Sequence, residues 1–203
     1  DKKSPFSLEY NNQVKKYINK YLREDKKLIS KMLASSSYYF PLIEATLDKH
    51  GLPMELKYLA IVESGLNPKA RSVSGATGLW QFMYLTGKQY NLEVNSYVDD
   101  RQDPLKSTES ACQYFKKLYD IFGDWNLVLA AYNGGPGYIQ RKIIDTGIND
   151  YWQLQKHLRT ETRNYIPKFI AINYLMNFYQ DHNIQEQESK INFLELDTIR
   201  IKN

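Results

Sequence analysis

Glu63 stands at a position where a helix should be apolar. Across residues 53–65, Leu56, Leu59, Ala60 and position 63 follow the i, i+3, i+4, i+7 spacing of one buried stripe. A carboxylate on that stripe is costly unless it is paired or neutral. Burial also raises a carboxyl pKa, which suits a general acid near neutral pH. The spacing equally admits a structural Glu that caps a neighbouring helix or pairs with Arg71. Ser64-Gly65 and Asn67-Pro68 end the helix just beyond it, because the residue before a proline resists the α region. Glu63 is thereby expected at a helix C-terminus beside a loop, where a side chain can meet a cleft.

Three further segments carry groups able to bind or position a substrate. Gly75-Ala76-Thr77-Gly78-Leu79-Trp80-Gln81 combines two glycines that permit tight turns, an aromatic face and an amide. Ala130-Ala131-Tyr132-Asn133-Gly134-Gly135 places Tyr and Asn at a helix break, although Asn-Gly there also reads as an ordinary C-cap. Glu161-Thr162-Arg163-Asn164-Tyr165 opens the last helix, where an acid in the first turn can be purely a capping device.

The elements that must hold these groups are mostly helices. The first thirty residues, with Lys15, Lys16, Lys20 and Arg23 among Tyr and Leu, read as one or two amphipathic helices at the edge of the domain. Pro41 is expected to open a helix ending near Gly51, and Pro53 the next. A Gly/Ser-rich loop, residues 72–78, leads to an expected aromatic helix starting around Gly78 to Trp80. Asp103-Pro104 is an N-cap and first helical residue, and Gly123 stops that helix. Cys112 lies in its apolar stripe and reads as a core thiol. A short helix follows over residues 125–132, then a break at Gly134-Gly135-Pro136-Gly137, a helix over about 138–145, and a long one over about 160–179. Leu194, Leu196, Ile199 and Ile201 alternate with polar residues as a strand would.

Composition narrows the classes. With 203 residues and 42% hydrophobic content, the chain can bury a sizeable core and is not wholly disordered. No apolar run approaches the ~20 residues of a membrane helix. A net charge of +4 is too small to imply nucleic acid. His50, His157 and His182 are scattered, and one Cys excludes an internal disulfide, so no structural zinc is expected. The 17 Tyr are the unusual feature. Tyr packs like a hydrophobe and hydrogen-bonds like a polar residue, which serves a core or a sugar cleft. Trp80, Tyr84, Tyr132 and Tyr165 are the cleft candidates, with Tyr114 and Tyr119 assigned to core or surface.

In order and spacing, Glu63-Ser64-Gly65-Leu66-Asn67-Pro68, Gly75-Ala76-Thr77-Gly78-Leu79-Trp80-Gln81, Ala131-Tyr132-Asn133-Gly134-Gly135 and Glu161-Thr162-Arg163-Asn164-Tyr165-Ile166-Pro167-Lys168 resemble the lytic transglycosylases of the soluble-lytic-transglycosylase type. The likeness runs from about residue 38 to residue 179 and looks most like the membrane-bound murein transglycosylase D branch, whose members often carry C-terminal LysM modules; none is visible here. The resemblance implies a mainly α, lysozyme-like helical domain over residues 38–183. A helical extension over 1–37 would pack on it, and a small strand-like tail or linker would occupy 184–203.

The resemblance further implies cleavage of the bond between N-acetylmuramic acid and N-acetylglucosamine in peptidoglycan. Glu63 would protonate the glycosidic oxygen, then act as base on the C6 hydroxyl that closes a 1,6-anhydro ring. Ser72 or Ser74, Gln81, Met83, Tyr132, Asn133 and Tyr165 would bind substrate, with the loop serine also able to orient the acid and Tyr165 able to reach either the acid or the sugar, and Glu161 would be structural. No metal and no cofactor are called for. The expected partner is the glycan strand, the expected state a monomer, and the expected place the periplasm or cell envelope, with outer-membrane association and anchoring through a preceding lipid or signal segment left open. Two rivals keep the fold. A lysozyme-like hydrolase would need a second carboxylate from Asp99, Asp100 or Asp103. A non-catalytic cell-wall glycan-binding module would not need Glu63, Gln81 and the Tyr132-Asn133 pair intact.

Overall fold

A computed structural model of the chain describes residues 4–186. The helices are α1 Asn12–Glu24, α2 Lys26–Lys49, α3 Lys57–Ser64, α4 Tyr84–Gln89, α5 Pro104–Phe122, α6 Trp125–Gly134, α7 Pro136–Thr146, α8 Tyr151–Leu154 and α9 Thr160–Asn177. Local chemistry sets many of these starts. Asn11 accepts from the backbone N–H groups of Gln13 and Val14 at α1. Asp103, Asp124 and Asp150 do the same for α5, α6 and α8. Gly123 and Gly147 end α5 and α7 in the left-handed region.

The core is organised around α6. Leu127 to Ala131 are all buried, so this helix is apolar on every side. It packs against α5, α7, α8 and α9. Along α9, Ile166, Phe169, Ala171, Ile172 and Leu175 are buried, and α1 and α3 both lie against that helix. Cys112 is fully buried on α5, and desolvation pushes its thiol up to about 12, so it packs as a small hydrophobe. The mainly helical architecture agrees with the sequence reading. Among the described residues the only β pairing is three isolated bridges. The strand-like stretch from Leu194 to Ile201 lies outside the described residues.

Three local expectations are corrected. Pro41 does not open a helix; it lies inside α2. An interior proline costs about 3 kcal/mol or more, but Ile29, Met32, Leu33, Ile43 and Leu47 are buried on both sides of it and hold the helix together. The expected division between residues 37 and 38 therefore falls within one continuous helix. The segment from Gly78 to Trp80 is not a helix start. Gly75 and Gly78 take φ of 86° and 91° and Gln81 takes 49°, which no right-handed helix accepts, so helix begins only at Tyr84. The glycine cluster near 135 breaks the chain at Gly135 alone (φ 90°, ψ 135°); Gly134 ends α6, while Pro136 and Gly137 belong to α7.

Candidate active site

α3 delivers Glu63 to its last turn. Gly65 (φ 59°) and Leu66 (φ 61°) both take left-handed conformations and turn the chain away. Leu66 bears a side chain in that region, and its burial at 2% exposure holds it there. The Ser64 hydroxyl lies 2.9 Å from the carbonyl oxygens of both Ala60 and Leu79, tying the end of α3 to the turn that follows.

Tyr165, on the second turn of α9, donates its hydroxyl to Glu63 Oε1. Burial pushes the Glu63 carboxyl up to about 7. The Tyr165 hydrogen bond opposes that rise, the Glu161 charge adds to it, and Lys168 opposes it. Tyr165 is 4% exposed, and desolvation with the adjacent Glu63 holds its hydroxyl well above the ordinary range, so it remains a donor. Tyr132 is shifted upward by burial first and by the Glu63 charge second, which places it in the same neighbourhood. Its hydroxyl donates to the Trp80 carbonyl at 2.6 Å, and its ring packs against Phe115 and Tyr114.

The segment from Arg71 to Phe82 forms a compact double turn. Thr77 and Phe82 exchange backbone hydrogen bonds of 3.1 Å, and Ser72 N–H donates to Ala76 O at 2.9 Å. Within it, Ser72 Oγ accepts from Ala76 N–H and lies 3.0 Å from Ser74 Oγ. The Gln81 amide nitrogen donates to the carbonyls of Ala70 and Gly78. Met83 and Tyr84 are exposed at the start of α4. Asn133 is half-buried and makes no side-chain hydrogen bond among the described residues, so its amide is free for a ligand. Glu63, Tyr165 and Tyr132 thus share one site, with Gln81 following the carbonyl that Tyr132 grips. Ser72 and Ser74 are bonded to each other and to their own loop rather than to Glu63.

Two expectations fail here. Trp80 is fully buried, with its indole N–H donating to Thr108 Oγ1 at 2.9 Å, so it is a core residue rather than a cleft face. Arg71 forms no ion pair with Glu63 among the described residues, so that form of the structural reading is not met. The carboxylates that a hydrolase would need are occupied. Asp99 binds Arg101, which holds its carboxyl below the usual range. Buried Asp100 binds Lys106 and the Glu93 N–H, and it is lowered likewise. Asp103 caps α5.

Arg101, which the sequence reading passed over, holds the segment from Arg71 to Phe82 in place. Only 5% exposed, it reaches across to the Gly75 and Phe82 carbonyls at 3.0 and 3.2 Å while its Nε and Nη2 bind Asp99. One guanidinium therefore ties the first turn of the segment, at Gly75, to its end at Phe82, next to Gln81. Gly78 packs so closely that a Cβ there would lie 1.7 Å from the Arg101 carbonyl oxygen. The Asp99-Asp100-Arg101 run held the clue, since an Arg beside two Asp is a ready internal partner. Gly134 has a similar steric role: a Cβ would sit 2.9 Å from Thr162 Oγ1, so α6 and α9 meet closely beside Asn133.

The transglycosylase SLT domain family matches residues 40–155. Membrane-bound lytic murein transglycosylase D of Escherichia coli is 35% identical over 168 residues, covering 80% of this chain and 36% of that protein. Soluble lytic murein transglycosylase of Escherichia coli is 27% identical over 128 residues, covering 60% of this chain and 20% of that protein. The crystal structure of the 70 kDa soluble lytic transglycosylase of Escherichia coli superposes with a TM-score of 0.59 at 25% identity, covering 70% of this chain and 24% of that one. The chain thus spans about a third of the first of these relatives and less of the others.

Proposed function

The chain belongs to the transglycosylase SLT family, and on that premise we propose that it cleaves peptidoglycan strands without water, leaving 1,6-anhydro ends. The observation that carries this reading is Glu63, a carboxyl raised to about 7 and held by one tyrosine. Tyr165 occupies Oε1, so the acid proton resides on Oε2, free to pass to a glycosidic oxygen. Once it has passed, the carboxylate keeps the Tyr165 hydrogen bond and can take the proton of the C6 hydroxyl as that oxygen attacks C1. The bond from C1 to the leaving oxygen breaks, the bond from C1 to O6 forms, and Glu63 ends reprotonated. One group serves as acid and base in turn, so no second carboxylate is required.

Tyr132, Asn133, Gln81 and Met83 are assigned to the sugar, Asn133 by its free amide and Met83 by its exposure. Ser72 and Ser74 are assigned a place at the cleft through the turn they brace. Residues 38–183 are taken as the catalytic body. A monomer in the cell envelope fits the murein-named relatives; no helix of the described residues is long and apolar enough to cross a membrane. Mass spectrometry of digested peptidoglycan tests the reaction. Anhydro-ended muropeptides are the expected product. Reducing ends would instead mark a hydrolase, and Asp99, Asp100 and Asp103, each bound to a structural partner, supply no free base for one.

A further inference from the structure

A cavity of about 940 Å³ has none of Glu63, Gln81, Tyr132, Asn133 and Tyr165 in its walls. The α2–α3 connection, the C-terminal turns of α5 and α9, the start of α6 and the segment at Ser4 and Pro5 enclose it. Its size is that of a small-ligand site, and the proposed reaction makes no use of it. We propose that this cavity is a second, non-catalytic binding site for neutral N-acetylated sugar residues of the glycan strand. The choice of strand rests on the transglycosylase reading; the choice of a neutral sugar rests on the cavity itself.

One wall of the cavity is aromatic. Tyr119, 39% exposed, stacks on Trp125 with ring centroids 4.6 Å apart and planes at 26°. Phe6 packs against Trp125 at 5.7 Å, so the indole is held before any ligand arrives. Trp125 is only 7% exposed, so the face offered to a pyranose ring is that of Tyr119, and the indole behind it fixes that face and limits the entropy lost on binding.

Another wall is polar. Asn173, Asn177 and Tyr58 line the same cavity. Asn177 Nδ2 donates to Tyr58 Oη at 3.0 Å and to Asn173 Oδ1 at 2.9 Å. Asn173 Nδ2 is buried and has no hydrogen-bond partner among the described residues. An unmet donor is costly to keep, and an acetamido carbonyl or a hydroxyl reached by a small side-chain rotation satisfies it.

Lys57 is engaged by Glu44, and His50 by Glu109. Of the remaining lining residues, Asp48, Glu55 and Asp120 stand against Lys116, and none of these four forms an ion pair among the described residues. The excess is negative. It repels lactyl and peptide carboxylates and favours N-acetylglucosamine, whose hydroxyls donate to carboxylates. A second foothold on the same polymer raises the local concentration of strand at the cleft without a new contact there.

The test is an NMR titration of isotope-labelled Glu63→Gln protein with tetra-N-acetylchitotetraose. The expected result is two groups of shifting resonances, one around Tyr132 and Asn133, the other at the Trp125 indole N–H and the Asn173 amide. Tyr119→Ala should remove the second group and spare the first, with an unchanged fold by circular dichroism. In the otherwise unaltered enzyme, Tyr119→Ala should slow release from insoluble peptidoglycan severalfold while leaving turnover of a short soluble glycan the same. Shifts confined to the Tyr132 and Asn133 group overturn the second site and leave the proposed reaction standing. Shifts confined to the Trp125 group support the second site and count against the proposed cleft. No shifts anywhere overturn both.

Discussion

Burial and hydrogen bonding act on Glu63 in opposite directions, and burial wins. Desolvation raises the carboxyl to about 7 although Tyr165 and Lys168 favour its ionised form. Its place at a helix C-terminus, where an anion is disfavoured, acts the same way as burial. Ionised Glu63 is the inactive form for the first step, so turnover should be flat below pH 6 and fall with a midpoint near 7. Because the folded value lies above the ordinary carboxyl value of 4.5, the native state holds a proton that the unfolded chain gives up between pH 4.5 and 7. Stability is therefore lost as pH rises through that window, on the order of 3 kcal/mol in all. Glu63→Gln keeps the shape and a carbonyl acceptor for Tyr165. It should lose turnover by several orders of magnitude, yet melt higher than the parent at pH 8 and the same at pH 4. Equal melting at pH 8 would show that the carboxyl is not perturbed. Tyr165→Phe removes the one contact that lowers the carboxyl pKa most. The alkaline limb should then move to higher pH while kcat drops roughly 10- to 100-fold, because the base form loses its donor. A limb left in place would separate Tyr165 from Glu63. Glu63 was legible in the sequence as one charge on an apolar stripe. Its partner Tyr165 was legible only through the family resemblance, because residues 63 and 165 meet only through the packing of α3 on α9. Trp80 misled for a related reason: an aromatic in a glycine loop looks exposed until Thr108, on another helix, takes its indole N–H.

The turn from Arg71 to Phe82 is placed from outside itself. Its own sequence supplies the left-handed residues Gly75, Gly78 and Gln81, but Arg101 fixes its first turn, at Gly75, relative to its end at Phe82. Removing one member of a buried charged network costs about 3–5 kcal/mol, so Arg101→Ala should lower the melting temperature and raise KM for glycan. Arg101→Lys keeps the charge but not the planar fork that spans Asp99 and two carbonyls. It should recover most of the stability and little of the KM. If stability and KM recover together, Arg101 is only structural. Helices with local punctuation were readable at this scale: α5 begins at Asp103-Pro104 and ends at Gly123, as its capping chemistry dictates. Elements decided by tertiary packing were not. α2 runs through Pro41 because buried side chains on both flanks outweigh one lost hydrogen bond, and an amphipathic pattern cannot report that balance.

One contiguous core joins the ends of the described chain. Phe6 packs on Trp125 and Phe169, Val14 and Ile18 of α1 are buried, and Ile184 belongs to the same cluster. The N-terminal helices read in the sequence as an edge feature because their charge masks two buried positions four residues apart. In the fold, α1 lies along α9, the helix that carries Tyr165. Burial of two aliphatic side chains contributes about 1.5–3 kcal/mol each, a large share of the ~5–15 kcal/mol that holds a domain together. A chain shortened to begin at Lys26 should therefore melt roughly 10–20 °C lower, at ~2–4 °C per kcal/mol for this size. The intact chain should unfold in one transition, with calorimetric and van't Hoff enthalpies equal. Two transitions, with the shortened chain keeping the higher one, would make residues 1–25 a unit separate from the rest of the fold. A single transition that moves with the truncation would make α1 part of the frame that holds Tyr165 against Glu63, and the alkaline limb of activity should then blur as that frame loosens.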